Sequence, residues 1–399
     1  MNRVCMISQS GYNDPRVRRE AQALADAGYE VDILGTSMDK GEDKIIKSDT
    51  ITFYGIIVKK RHESMIRYSL HSFHFFLMVF LKLQYLGLLK RYDLIQIHNM
   101  PEFHVFTALF QKIAGIPIVL DLHDLTPELF ELKWVDNKKS SLITVVRFVE
   151  RISCRFANKL ITVTDVCKEN LVNRGVPANK ITLVLNTPNQ KIFKYDTGRE
   201  YKIITGRAKL IYHGTVAERM GLHIAVEAMK YLSEKIPGSV LVIYGHYDRT
   251  YKIYLEKLIR KFNLEENVIL KGEFSQEVIY GFIKESDFGV VPYLDNIYMN
   301  LCLATKMFEY NASLLPVVVS RLKSPSMIFR DDSIAFTAPG NAQDLADKLI
   351  NLCFDPAKRK IMAENAYTIL QSISGQIMSE RYLNLIDSTI NGKKVIITH

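Results

Sequence analysis

The stretch Leu303–Ser320, LATKMFEYNASLLPVVVS, joins a polar helix start to an apolar helix and then to an apolar strand, which is typical of an α/β fold. Lys306 and Glu309 are three residues apart, about 4.5 Å along a helix axis. A helix N-terminus and Lys306 suit a diphosphate, and Glu309 suits a pair of ribose hydroxyls. The same two side chains also fit a salt bridge on a helix surface. Taken alone, the stretch leaves both interpretations open.

The length and composition set the class of protein. At 399 residues the chain is longer than one hydrophobic core usually supports, so we expect two domains. The five cysteines are widely spaced and form no CxxC pair, which favours a reducing, cytoplasmic location over a disulfide framework. We expect no signal peptide, because no long apolar segment precedes a cleavage site. The net charge of +9 is spread over both halves without a nucleic-acid signature, so we expect no nucleic-acid partner.

The most apolar stretch is Phe73–Leu89, which His74, Lys82 and Gln84 interrupt before about 20 apolar residues accumulate. We therefore expect it not to span a bilayer. A helix lying on the inner face of an anionic membrane is one interpretation, and a core helix with a solvated basic rim is the other. The basic residues around the stretch are Lys59, Lys60, Arg61, Arg67, Lys90 and Arg91.

Strands alternate with helices through both halves of the chain, which predicts two doubly wound, Rossmann-like parallel sheets. In the first half, for example, we predict a strand over Asp93–His98 and a helix over Pro101–Ala114. The predicted division is a first domain over 1–190, a polar linker over 191–207 and a second domain over 208–375. A helical tail over 376–399 is predicted to return to the first domain.

Ligands of doubly wound domains bind beyond the carboxyl ends of the strands, so residues that follow strands are candidate site residues. Gly11 follows the first strand, where a glycine permits close approach of a phosphate to the backbone. His98 and Asn99 follow another strand. The segment after them also fits an ordinary helix start, with Asn99 as the cap before Pro101.

The segment VLDLHDLTPELF places His123 and Asp124 after a further strand, with the carboxylates of Asp121 and Glu128 nearby. A histidine there suits a hydrogen bond to a sugar hydroxyl or to a reacting oxygen. A histidine whose ring is satisfied structurally in a loop is the alternative. The sequence keeps both interpretations.

In the second half, Gly214 follows a strand and Arg219 precedes a helix. Arginine suits bidentate contact with phosphate, although a solvated arginine fits equally well. No two aspartates have DxD spacing and no HExxH pattern occurs, so we predict no metal site. A departing diphosphate would then be neutralised by Lys306, Arg219 and helix dipoles.

Together these segments resemble glycosyltransferase family 4, the retaining glycosyltransferases of GT-B fold, over about residues 1–385. The resemblance rests on the order and spacing of six segments: DPRVRREAQALADAGYEVDIL, LDLHDLTPELF, ANKLITVTDVCKENL, LIYHGTVAERMGLHIAVEAM, VILKGEFSQEVIYGFIKESDFGVVPY and TKMFEYNASLLPVVVSR. It implies two domains that face each other across a cleft. It also implies a nucleoside diphosphate sugar on the second domain and an acceptor hydroxyl on the first.

The resemblance also implies a role for each candidate residue. His123 and Asp124 would be catalytic, with His123 at the transferring sugar. The donor would bind Gly11, Gly214, Arg219, Lys306 and Glu309. The acceptor side would comprise His98, Asn99 and Glu128.

The chain departs from the family pattern at several positions. Leu301 stands where the first glutamate of the family's E-x7-E pair would fall, and Ala304 replaces a proline. Leu314 and Leu315 replace the small residues before Pro316. Met220 replaces the usual basic residue before Gly221, so that phosphate contact would move to Arg219 or be lost.

The sequence thus predicts a metal-independent, retaining hexosyltransferase of cell-surface polysaccharide or glycolipid biosynthesis. Its donor would be a nucleoside diphosphate sugar, with UDP-sugar preferred, and its acceptor a glycan or a lipid-linked saccharide. We expect no cofactor. The alternatives are a catalytically silent relative that binds sugar nucleotide or a partner, and a sugar-nucleotide epimerase of the same fold.

Overall fold

The computed structural model describes residues 1–37, 45–46, 48–57, 65–134, 141–196 and 198–392. The chain forms two compact units. The first comprises Met1–Asn186 together with the segment that begins at Gln376, and the second comprises Thr187–Gly375. Each unit is built on a parallel sheet covered by helices. The prediction of two doubly wound α/β domains is therefore confirmed.

The strands of the described residues form one sheet in each domain. In the first domain the order is β3-β4-β2-β1-β5-β6-β7-β8, parallel except for the β3–β4 pair, and in the second it is β11-β10-β9-β12-β13-β14. The first-domain strands are β1 (Arg3–Ser8), β2 (Glu30–Ser37), β3 (Ile45–Ile46), β4 (Ile51–Ile57), β5 (Leu94–His98), β6 (Ile118–Leu122), β7 (Lys159–Thr162) and β8 (Ile181–Leu183). The second-domain strands are β9 (Lys209–His213), β10 (Val240–Tyr244), β11 (Val268–Lys271), β12 (Phe288–Val291), β13 (Val317–Ser320) and β14 (Ala335–Thr337).

Most of the helices lie between strands in the chain, and the last three follow the last strand, β14. The helices are α1 (Pro15–Asp26), α2 (Met65–Leu89), α3 (Leu109–Ile113), α4 (Thr126–Trp134), α5 (Ser141–Phe156), α6 (Asp165–Asn173), α7 (Leu222–Lys235), α8 (Arg249–Lys261), α9 (Gln276–Lys284), α10 (Thr305–Ala312), α11 (Lys323–Ile328), α12 (Ala342–Phe354), α13 (Pro356–Ser372) and α14 (Gly375–Asn391). Local sequence sets where they begin. The Asp14 carboxylate caps α1 by accepting the Arg16 amide at 2.8 Å, and Pro15 occupies the first helical position.

Helix α2 has one face inside the first domain. Phe75, Val79 and Leu83 recur at helical spacing, are fully buried, and pack towards the sheet and the segment over 102–108. By length and composition, Ile66–Leu89 is also apolar enough to cross a membrane. The buried face makes α2 part of the α/β fold, while its opposite face is exposed.

The helix predicted over Pro101–Ala114 is wrong in its first half. Glu102–Ala108 forms a 3₁₀ helix, and the α-helical turn α3 begins only at Leu109. The Thr107 hydroxyl donates to the His104 carbonyl at 2.7 Å and so satisfies one acceptor that an α-helical amide would otherwise take. Glu102 is buried within this turn and accepts hydrogen bonds from Asn99 and from the Thr126 amide.

The predicted linker over 191–207 is not a separate segment. The domain boundary lies at Asn186–Thr187, and the described residues that follow pack on the second domain. The Arg199 guanidinium donates to the carbonyls of Ser313 and Ser286 at 2.9 and 2.7 Å, just beyond the ends of α10 and α9. Tyr201 donates its hydroxyl to the Leu314 carbonyl at 2.6 Å. A cation bound to helix C-termini is a favourable arrangement, and it holds a segment that has no helical or strand periodicity.

Helix α14 packs on the first domain. The buried Tyr382 hydroxyl donates to the Gln96 side-chain oxygen at 2.6 Å, and Gln96 in turn donates to Glu20 at 2.7 Å. The Leu185 amide lies 3.3 Å from the Met378 sulfur. These contacts join the chain end to β5, α1 and the segment after β8.

Candidate functional site

A buried ionic network lies at the carboxyl ends of the central strands of the first domain. Arg16, on α1, places its Nε 2.6 Å from the Asp121 carboxylate at the end of β6 and 3.1 Å from that of Glu20. Arg16 and Asp121 are both buried. Burial favours the neutral carboxyl, but the Arg16 guanidinium outweighs it and holds the pKa of Asp121 well below its usual range. The pair therefore stays ionised inside the domain.

Two histidines adjoin this network. The fully buried His98 places Nδ1 3.0 Å from Asp121 Oδ2, and His123 Nδ1 lies 3.9 Å from the same oxygen. Burial lowers the pKa of His98, but Asp121 and Glu20 overcome that effect and raise it. The side chain of His123 is 17% exposed, so it can reach a ligand, and its Nδ1 has no hydrogen-bond partner among the described residues.

The other predicted residues of this domain lie around the same strand ends. The Asn99 amide donates to the carbonyl of Asp124 and to the Glu102 carboxylate, so Asn99 ties two loops together. Glu128 is buried in an ion pair with Arg174, and Asn170 also donates to it at 3.1 Å. Its described partners thus lie on or just after α6. Its predicted acceptor contact stays a prediction, as do those of His98 and Asn99.

Gly11 has a structural requirement of its own. Its φ of 65° lies in the left-handed region, and a Cβ there would stand 2.9 Å from the Thr36 carbonyl oxygen. Gly35 packs against it so closely that a Cβ on Gly35 would meet Gly11 Cα at 2.3 Å. Close packing of the first turn on β2 therefore explains Gly11 without a ligand, and its phosphate contact stays a prediction.

His98, Asp121 and His123 also form a group of metal-ligand type, since their potential ligand atoms all lie within 4.8 Å of one another. The sequence did not reveal this group, because the residues share no metal-binding spacing. Both oxygens of Asp121 already face the Arg16 guanidinium, at 2.6 and 3.1 Å. The positive charge of Arg16 beside this carboxylate repels a metal ion. The absence of a metal site stays a prediction.

Lys306 lies in a buried aromatic pocket of the second domain. It is 8% exposed, its Nζ donates to the Tyr293 hydroxyl at 2.9 Å, and the same atom stands 4.1 Å from the centre of the Tyr212 ring. Burial lowers the pKa of Lys306 to about 7, although Glu309 opposes the shift. The alternative interpretation, that Lys306 forms an ion pair with Glu309 on a helix surface, is therefore wrong.

Glu309 faces a different partner. It is 5% exposed, and its Oε2 lies 3.0 Å from His213 Nε2 at the end of β9. The His213 ring packs edge-on against Tyr310 at 5.3 Å between ring centres. The carboxylate is thus held at the carboxyl end of the sheet, one helical turn beyond Lys306. No described side chain caps the amides at the start of α10.

Gly214 and Arg219 lie around the same pocket. Gly214 has a φ of 110°, and a Cβ there would stand 3.4 Å from Lys306 Nζ, so the glycine leaves the ammonium group accessible. Arg219 Nε is buried without a hydrogen-bond partner among the described residues. Burial raises the pKa of Tyr212 and Tyr293, and the nearby Arg219 charge opposes that rise in both. Two cations therefore approach the same two tyrosines.

The structure thus brings four of the five predicted donor residues together in the second domain. Gly214, Arg219, Lys306 and Glu309 surround one pocket, and Gly11 lies in the first domain. The sequence interpretation missed Tyr212 and Tyr293, and it assigned no role to His213. Tyr293 and His213 could have been found, because they stand at or just beyond strand ends, as the other candidates do. Tyr212 lies within an apolar strand and looks like an ordinary core residue.

Two family models match successive parts of the chain. The model described as "Glycosyl transferase 4-like domain" matches residues 14–187, and the one described as "Glycosyl transferases group 1" matches residues 196–369. The two matches fall on the first and second domains, and the second contains the whole Lys306 pocket.

Individual proteins with established names are also similar. An alpha-D-kanosaminyltransferase of Streptomyces kanamyceticus is 23% identical over 65% of this chain and 67% of its own length. A chitobiosyldiphosphodolichol beta-mannosyltransferase of Kluyveromyces lactis is 22% identical over 47% of this chain and 41% of its own length. The solved structure of Anabaena HepE with UDP and glucose has a TM-score of 0.73 at 16% identity, covering 97% of this chain and all of that one. This likeness supports the GT-B fold.

Proposed function

The chain belongs to the group 1 glycosyltransferases, enzymes that transfer sugars, and on that premise we propose the reaction that it catalyses. It transfers a hexosyl group from a nucleoside diphosphate sugar, preferably a UDP-sugar, to a glycan or lipid-linked acceptor. The anomeric configuration is retained, and neither a metal nor a cofactor takes part.

The observation that carries the proposal is the buried Lys306. An ammonium group whose described partners are a tyrosine hydroxyl and aromatic rings has no carboxylate within ion-pairing distance. A diphosphate would supply the missing negative charge, and the uncapped amides at the start of α10 would add donors to it. Burying a cation in this way is costly without an anionic ligand, which favours a binding role over a structural one.

The neighbouring residues complete the donor site. The buried Nε of Arg219 supplies a second charge for the diphosphate. Gly214 keeps the approach to Lys306 open. Glu309 accepts hydrogen bonds from the ribose hydroxyls, with His213 holding its carboxylate. Anabaena HepE was solved with UDP, which agrees with a uridine donor for this fold.

The transfer step requires the bond from the anomeric carbon to the diphosphate oxygen to break. The acceptor oxygen bonds to the same face of the sugar ring, and its proton passes to the departing diphosphate. Lys306 and Arg219 stabilise the charge that develops on that leaving group. His123 contacts the transferring sugar, with Asp124 beside it, and the Asp121 carboxylate lies 3.9 Å from its Nδ1.

The acceptor that we favour is lipid-linked, in cell-surface polysaccharide or glycolipid synthesis at the cytoplasmic side of a membrane. The Kluyveromyces lactis relative, whose name specifies a diphosphodolichol acceptor, supports this choice. The low count of acidic residues around α2 agrees with it, because the acceptor would lie at an anionic surface.

Replacement of Lys306 and Glu309 tests the donor site. We expect Lys306→Met and Glu309→Gln each to lower the rate of sugar transfer or donor hydrolysis by about 100-fold or more, as loss of a preorganised group in an active site does. A panel of nucleotide sugars, followed by mass spectrometry of the products, measures the rate. Lys257→Met removes an exposed lysine of α8 and should leave the rate unchanged. Wild-type rates in both site variants would remove these residues from the site.

A further inference from the structure

Helix α2 carries a second apolar face in addition to the one that packs inside the domain. This face recurs at intervals of three or four residues along the helix, and each of its members is at least 43% exposed. It comprises Leu70, Phe73, Leu77, Leu81, Tyr85 and Leu88. An apolar stripe of this length on the outside of a domain marks an interaction surface rather than scattered exposure.

Neighbouring helices continue the stripe. From β4 the chain passes to β5, then to β6 and then to β7, and each step goes in the same direction across the sheet. Right-handed crossovers therefore place α2, α3 and α5 on the same side of it. Phe80 of α2 contacts Phe110 of α3, with 5.7 Å between ring centres. Phe110, Ile113, Val145 and Phe148 are each more than half exposed. We call the exposed apolar side chains of α2, α3 and α5 the apolar face.

The charges around the apolar face have one sign. Helices α2, α3 and α5 contain six lysines and arginines but a single acidic residue, Glu150. Glu150 is buried and binds Arg174, so it contributes no exposed negative charge. The exposed cations include Arg151 and Arg155 of α5, whereas Arg147 lies 3.6 Å from the Glu131 carboxylate of α4.

Only part of the basic rim predicted from the sequence provides free positive charge at the surface. Lys90 is bound to both Asp32 oxygens, at 3.0 and 2.7 Å, so it does not serve as a free surface cation. Lys59, Lys60 and Arg61 lie outside the described residues. The arginines of α5 now supply the positive charge that the sequence interpretation had assigned to the chain around α2.

We propose that the apolar face binds the surface of an anionic lipid bilayer, with α2 lying in the plane of the membrane interface. Apolar side chains would enter the acyl boundary, and the surrounding arginines would meet lipid phosphates. A second copy of the chain is a poorer occupant. A two-fold contact through this face would bring the same cations together from both copies without an acidic partner. The proposal stands independently of the proposed reaction.

Vesicle binding by the full-length protein tests the proposal. The probe is sedimentation with sucrose-loaded vesicles of phosphatidylcholine alone or with phosphatidylglycerol. We expect wild-type protein to bind the anionic vesicles, and added salt to weaken binding. Leu70→Ser/Leu77→Ser/Leu81→Ser should lower the partition coefficient by at least about tenfold, since three leucines that would enter the membrane are lost. Arg151→Gln/Arg155→Gln should reduce the preference for anionic lipid.

The matched control is Ile253→Ser/Phe354→Ser/Ile361→Ser, which removes three similarly exposed apolar side chains of the second domain. It should bind vesicles as wild type does. Circular dichroism shows whether each variant remains folded, which is expected because all the replaced side chains are exposed. The proposal is overturned if wild-type protein stays with the supernatant, or if the leucine variant sediments like wild type. A dimer in light scattering that the leucine variant abolishes would also overturn it, in favour of a second copy.

Discussion

At the scale of single residues, the protonation of Lys306 should control donor affinity. Burial lowers the pKa of this lysine to about 7, so in the free protein it loses its charge as the pH rises through that value. A bound diphosphate stabilises the ammonium form and raises the pKa. Affinity for UDP-glucose should therefore be full below about pH 7 and fall by up to tenfold per pH unit above it, as linkage to one proton requires.

Titration calorimetry between about pH 6 and pH 9 measures this dependence. At about pH 8, buffers with different ionisation enthalpies should reveal uptake of nearly one proton on binding. Lys306→Arg is the control, because a guanidinium, whose pKa lies far above this range, keeps its charge throughout it. That variant should show a flat profile. Equal pH dependence in wild type and in the arginine variant would assign the titration to another group.

At the scale of elements, the end of α10 contains a strained position. Leu314 follows the helix with a φ of 53°, a left-handed conformation that costs a non-glycine residue about 1–2 kcal/mol. Glycosyltransferase family 4, which the sequence resembles, has a small residue at this position. Replacing it by glycine or by alanine removes the same buried side chain, but glycine alone removes the strain.

We therefore expect Leu314→Gly to be more stable than Leu314→Ala by about 1 kcal/mol, the reverse of the usual helical order. Urea unfolding of both variants measures the difference in the free energy of unfolding. The control is Lys257, an exposed residue within α8, where alanine should be the more stable replacement by about 1 kcal/mol. Alanine more stable at both positions would show that the backbone at 314 carries no strain.

At the scale of the whole molecule, local patterns predicted the α/β architecture, while the interior of the site depends on long-range contacts. An apolar segment was enough to predict β1. Gly214 and His123 could be predicted as site residues because each follows a strand. The part of the Lys306 pocket that Tyr212 forms could not be predicted, because Tyr212 is 94 residues away in sequence and lies within an ordinary apolar strand. The linker prediction failed for the same reason, since tertiary contacts of Arg199 and Tyr201 fix that segment.

The same dependence on distant contacts makes α14 part of the first domain. The Tyr382 hydroxyl on α14 donates to Gln96 of β5 across 286 positions of sequence. Tyr382→Phe would leave the buried Gln96 oxygen without this donor, at a cost of about 1–3 kcal/mol. We expect faster amide exchange in peptides from α14, β1 and β5, with little change in those from β9 and β12, as measured by mass spectrometry. Tyr254→Phe, on an exposed position of α8, should change neither set. Equal acceleration in both domains would show that they open as one cooperative unit, so that the contact of α14 stabilises the whole chain rather than the domain to which it returns.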